Sequence, residues 1–129
     1  MFNNDQKSCS VYVLLAIESL KKNIDDNPFQ FRTAAELLNN VSTANRNSVE
    51  KAFKDVFGTG IKEYQVRKRL EASKKFLQNG MTKKLIASKC FYSSQTAYCR
   101  AFKREFNVSP TEWQKMEILT KRQDPCKNE

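Results

Sequence analysis

The chain contains no histidine. Without imidazole it lacks the commonest general base near neutral pH and the commonest nitrogen ligand for zinc. Its four cysteines, Cys9, Cys90, Cys99 and Cys126, make no C-x-x-C pair, so a zinc ribbon or a dithiol redox site is not expected. Glycine is scarce and forms no phosphate-cradling loop, and the acidic residues are scattered or stand at helix starts. The usual parts of an active site are therefore missing, and no enzyme, metal site or cofactor is expected. The longest wholly apolar run, residues 11–17, is far too short to span a bilayer. No charged stretch followed by a long apolar segment opens the chain, which argues against a secretory signal and for a reduced, cytoplasmic protein. With three glycines and three prolines, the composition suits a compact helical protein.

What the chain has in excess is positive charge, +9 in all, unevenly placed. Residues 1–40 carry five acids against four bases, whereas residues 41–116 carry sixteen Lys and Arg against six Asp and Glu. The last thirteen residues are balanced. A localised cationic field favours an anionic partner, nucleic acid or an acidic membrane face. The alternative is a Lys-rich surface that only keeps the chain soluble.

Apolar residues recur at helical spacing through most of the chain. Val13, Leu14, Ile17, Leu20 and Ile24 form one face of a first helix that Ser8 or Ser10 can cap, ended by Asp25-Asp26-Asn27-Pro28. Phe29 and Phe31 then fold back on the core. Thr33 and Glu36 read as a capping box for a short helix that ends between residues 40 and 43. The next helix opens at Asn45. It buries Val49, Ala52, Phe53, Val56 and Phe57 and stops at Gly58. Residues 61–78 give the longest periodic segment, with Ile61, Tyr64, Leu70 and Leu77 on one side. Thr82 caps another short helix, Phe91-Tyr92-Ser93 turns, and a basic helix runs to Asn107. Pro110 opens a last helix bearing Trp113 and Met116, and the chain beyond Leu119 is expected to be loose.

Part of this pattern is stated twice. K-A-F-K-D-V-F-G-T-G-I-K-E-Y-Q, residues 51–65, aligns with R-A-F-K-R-E-F-N-V-S-P-T-E-W-Q, residues 100–114, at an offset of 49. Ala, Phe, Lys, Phe, Glu and Gln match outright. The caps Thr33 and Thr82 stand at the same offset. Each copy is a short capped helix, a turn, a longer basic helix and the start of another, which is the form of a helix-turn-helix unit. A helix over residues 61–78 would be ~27 Å long at ~1.5 Å per residue. With the width of the flanking units, that length could hold two reading helices about one DNA turn, roughly 34 Å, apart.

The segment S-S-Q-T-A-Y-C-R-A-F-K-R-E-F-N-V-S-P-T-E-W-Q, residues 93–114, resembles the signature of the AraC-type (arabinose-regulator) DNA-binding domain. The likeness extends over about residues 11–116. It implies an all-α fold of about seven helices, two homeodomain-like helix-turn-helix subdomains joined by a central linker helix. The expected division is a flexible N-terminus at 1–10, the first subdomain at 11–58, the linker at 59–79, the second subdomain at 80–118 and a flexible tail at 119–129. By the same likeness the reading helices are residues 45–57 and 94–106, entering successive major grooves. Residues 1–30 are too few for a ligand-sensing domain, so the chain resembles the short, stand-alone members. It departs from the family at Phe91-Tyr92, where Gly-Phe is common, and at Thr43 in the first unit. A turn without Gly bends differently or accepts an unusual φ.

In a major groove the useful side chains lie near the start of the reading helix, on its outward face. In the second unit these are Gln95, Thr96, Cys99 and Arg100. Gln suits adenine, Arg suits guanine, and a Thr methyl can meet thymine. In the first unit they are Arg46, Asn47, Glu50 and Lys51. Lys54, Lys103 and Arg104 are placed for phosphate, and Asn45 and Ser94 can present helix N-termini to it. The polar residues can equally act as caps, and Glu50 can pair with Lys54 on a solvated face. Phe53, Phe57, Tyr98, Phe102, Phe106 and Trp113 fit a core better than a base-stacking platform. The expected function is sequence-specific regulation of transcription on double-stranded DNA in the bacterial cytoplasm, at the nucleoid. The alternative is a protein-interaction module of the same fold acting on RNA polymerase or another regulator. No membrane partner and no small-molecule sensing domain are expected.

Overall fold

A computed structural model of the chain describes residues 10–122. Seven helices and no strand occur among the described residues: α1 Val11–Asp26, α2 Ala34–Val41, α3 Arg46–Phe57, α4 Ile61–Gln78, α5 Lys83–Lys89, α6 Gln95–Phe106 and α7 Pro110–Arg122. The all-α expectation of about seven helices holds. Two compact units divide the chain, Met1–Arg69 and Leu70–Glu129. The division falls inside α4, so the helix expected to link two units contributes to the packing of each.

Helix starts follow the cap chemistry. Ser10, Thr33, Asn45, Thr82 and Ser94 each accept from the backbone N–H three residues on. Such a cap stabilises a helix by about 1 kcal/mol. Ser8, the other candidate cap for α1, lies outside the described residues. The Thr33 box is not reciprocal, because Glu36 accepts from Arg32 N at 3.0 Å, one residue before the cap. A full reciprocal box opens α7 instead, with Ser109 N to Glu112 Oε1 at 2.9 Å and Glu112 N to Ser109 Oγ at 3.1 Å. The Ser109 N–H, and after it the Ser109 hydroxyl, hold the Glu112 carboxyl below its ordinary pKa. Glu63 is lowered in the same way, first by Gly60 N–H and then by the Thr59 hydroxyl.

In the first unit Val13, Ile17, Leu20 and Ile24 of α1 are buried with Leu37, Leu38, Val49, Ala52, Phe53 and Ile61. Phe31 packs against this cluster, and Phe29 is half-buried. Two expected core residues are corrected. Leu14 is 39% exposed and Val56 is 52% exposed, since each sits at the edge of its helix's apolar stripe, beyond the cover of its neighbours. Arg69 is buried and donates Nε to Pro28 O, and Nη2 to Phe31 O and Arg32 O. Three carbonyls of an irregular segment thereby gain a charged donor.

The second unit buries Leu70, Leu77, Ile86, Ala87, Cys90, Tyr98 and Phe102. The sequence repeat is also a packing repeat. Phe53 meets Phe57 edge-on at 4.7 Å and Tyr64 at 5.8 Å between centroids. Forty-nine residues on, Phe102 meets Phe106 at 4.6 Å and Trp113 at 6.4 Å with nearly the same tilt. Lys21 lies over Phe57 and Tyr64, and Lys74 lies over Phe106 and Trp113. Phe53 and Phe102 are core residues, and Phe57, Tyr64, Phe106 and Trp113 are half-buried against them.

α7 continues through Arg122, so residues 119–122 of the expected flexible tail are helical. The rest of that tail, with Pro125, and the expected flexible residues 1–9 lie outside the described residues. Among those described, no helix is long and apolar enough to cross a membrane. No group of three or more His, Cys, Asp or Glu is placed among them to hold a metal ion.

Candidate nucleic-acid interface

The turn before α6 is a Schellman motif. Tyr92 N donates to Ala87 O at 2.9 Å and Phe91 N to Ser88 O at 3.1 Å, the paired bonds that close a helix through one left-handed residue. That residue is Phe91, at φ 68. An L side chain there costs roughly 1–2 kcal/mol relative to glycine. The missing glycine is thus met by accepting the unusual φ. The first unit solves the same problem differently: Ser42 ends α2 in extended backbone, φ −127 and ψ 139, and Thr43 needs no positive φ.

α6 leaves that turn with its apolar side fixed inward. Tyr98 and Phe102 are fully buried, and the Tyr98 hydroxyl donates to Ser73 Oγ on α4 at 2.8 Å. Burial pushes the Tyr98 phenol pKa well above its ordinary value, so it stays a neutral donor. A helix pinned on one side presents the other. Gln95, Thr96, Arg100, Lys103 and Arg104 are exposed, and Cys99 is half-buried. Among the described residues Arg100, Lys103 and Arg104 have no carboxylate within ion-pair distance. The Ser94 oxygen accepts from Ala97 N at 3.1 Å, which caps the helix and leaves the O–H free to donate.

α3 follows the same plan with different electrostatics. Val49, Ala52 and Phe53 are buried, and Arg46, Asn47, Lys51 and Lys54 are exposed. Asn45 Oδ1 is used on Ser48 N at 3.0 Å. Two cations, however, are paired along the helix: Arg46 Nε to Glu50 Oε2 at 3.2 Å, and Lys51 Nζ to Asp55 Oδ2 at 3.2 Å. The expected partner of Glu50 was Lys54, one turn later. The carboxylate turns instead to Arg46, whose longer fork reaches it from one turn earlier. Asp55, not among the candidate site residues, takes up Lys51. Its signal was available, four residues after Lys51 on an exposed face.

Both helices end alike. Gly58 and Asn107 cap α3 and α6 in the left-handed region, at φ 79 and φ 68, the residue types that accept it most readily. Each unit therefore holds a 12-residue basic helix between a side-chain N-cap and a left-handed stop. α6 packs on the short α5 across its turn, whereas α3 packs chiefly on the long α1.

A family model described as a helix-turn-helix domain matches residues 38–116, more than half of the chain. No curated protein matches significantly. Among solved structures the chain is similar to a probable AraC family transcriptional regulator from Rhodopseudomonas palustris CGA009. That match has 21% identity and a TM-score of 0.67, and it covers 79% of this chain and 96% of that one. The chain belongs to the AraC-type helix-turn-helix family of DNA-binding transcription regulators.

Proposed function

We propose that the chain binds double-stranded DNA sequence-specifically, with α6 and α3 as reading helices in successive major grooves. The observation that carries the reading is the outward face of α6. There Gln95, Thr96 and Arg100 are exposed near the helix start, and Lys103 and Arg104 follow one turn on. Gln95 and Arg100 have the donor geometry for adenine and guanine edges, and Thr96 offers a methyl to thymine. Lys103 and Arg104, with Lys54 on α3, fix register on the phosphates. Asn45 and Ser94 contribute through the helix N-termini they cap. Asn47 is the leading base contact of α3, with Arg46, Glu50 and Lys51 around it. Cys99, half-buried, touches the base edges only if the helix enters deeply. Such a protein acts at the bacterial nucleoid.

A second reading, a protein-interaction module acting on RNA polymerase or another regulator, draws on the exposed apolar side chains Val11, Tyr12 and Leu15 of α1. A salt titration on duplex DNA separates the two. A reader that neutralises several phosphates loses affinity with a log–log slope of about −3 or steeper. A flat slope, or no binding, would favour the protein partner.

A further inference from the structure

The two reading helices differ most where they carry acid. Aligned at the repeat offset, Arg46, Glu50, Lys51 and Asp55 of α3 stand against Gln95, Cys99, Arg100 and Arg104 of α6. Both carboxylates of α3 are therefore absent from α6, one replaced by a thiol and the other by a cation. In α3 each carboxylate engages a lysine or arginine one turn away at 3.2 Å. These pairs are exposed: the side chains of Lys51 and Asp55 retain 71% and 57% of their accessible surface. They add little to folding. They do change what DNA meets. A cation paired at about 3 Å keeps only a fraction of its attraction for a phosphate a Debye length away, about 8–10 Å, and the pair must be broken before the cation can bind there.

We propose that Glu50 and Asp55 are specificity determinants that suppress non-specific phosphate binding by the first unit. With Arg46 and Lys51 engaged internally, Lys54 is the α3 cation left to meet the phosphates of an arbitrary duplex. The helix settles only where Asn47 and its neighbours find matching base edges. α6, whose cations are unpaired among the described residues, supplies the general attraction. The inference rests on the DNA-reading function proposed above and divides its labour: the second unit captures duplex and the first discriminates.

The test measures binding to a random duplex and to a selected site across a salt series, for the wild-type chain and three single variants. Asp55→Asn and Glu50→Gln each free one cation on α3. Asp26→Asn makes the same charge change on α1 by freeing Lys22, its partner at 3.1 Å. The expected result is that D55N and E50Q raise random-duplex affinity severalfold and steepen the log–log salt slope by ~0.9. The ratio of specific to random affinity should fall by a similar factor, while D26N changes neither quantity. If all three variants shift alike, net charge alone is responsible and the proposal is overturned. It is equally overturned if D55N and E50Q behave as wild type. A wild-type chain with no salt-dependent duplex binding would instead defeat the DNA-reading function itself. Thermal unfolding of each variant shows that the fold is retained.

Discussion

Tyr98 and Ser73 form a relay inside the second unit: the phenol donates to Ser73 Oγ at 2.8 Å, and Ser73 donates onward to Leu70 O at 2.6 Å. Both side chains are fully buried. The relay ties α6 to α4 from the side opposite its exposed cations, so the exposed face of α6 is oriented by a polar contact as well as by Phe102.

Tyr98→Phe removes one donor and keeps the ring, leaving Ser73 with its bond to Leu70 O. The expected loss is about 1 kcal/mol of stability, read from denaturant midpoints, with the helix content unchanged. A Tyr98→Phe chain as stable as wild type would show that the relay contributes nothing.

Phe91 carries backbone strain that a pair of substitutions isolates. Phe91→Ala and Phe91→Gly both delete the ring, but only glycine is at ease at φ 68. The glycine variant should be the more stable of the two by roughly 1 kcal/mol. Equal stabilities would mean that the turn relaxes out of the left-handed region once the ring is gone.

Glu63 and Glu112 give the chain an acid limit. Their folded pKa values lie below the ordinary glutamate value because Gly60 and Ser109 N–H groups, together with the Thr59 and Ser109 hydroxyls, favour the carboxylate. In the window below the ordinary glutamate pKa the unfolded chain binds more protons than the folded one, so stability falls as pH falls. The contribution is complete above the unfolded value and lost as pH drops through the folded one. Glu112→Gln should flatten this acid limb in pH-dependent thermal unfolding. An unchanged limb would remove Glu112 as a contributor.

Much of the fold was legible because its signals are local. The N-caps Thr33, Asn45, Thr82 and Ser94 and the stop at Gly58 are set by chemistry within one helical turn. The buried faces follow from 3.6-residue spacing. Leu14 and Val56 were misplaced because spacing defines the centre of an apolar stripe, while its edges depend on how far a neighbouring helix reaches. Arg69 was not legible at all. A cation in a basic helix reads as surface, and the three carbonyls it satisfies come from a segment about forty residues earlier. Of the interface, the outward residues of α6 were visible from the buried positions of Tyr98 and Phe102. The pairing of Arg46 with Glu50 was not, since a carboxylate with cations at both i−4 and i+4 has two geometrically equivalent choices.

The most direct test of the central claim, that α6 reads DNA sequence, is selection of bound sites from a random duplex pool by wild-type chain and by Arg100→Ala. Wild type should enrich a short motif, and Arg100→Ala should bind it about 1–3 kcal/mol more weakly with relaxed preference at one position. The fold should be intact by circular dichroism, because Arg100 is exposed. A wild-type selection with no enriched motif, or an identical motif and affinity from Arg100→Ala, would contradict it.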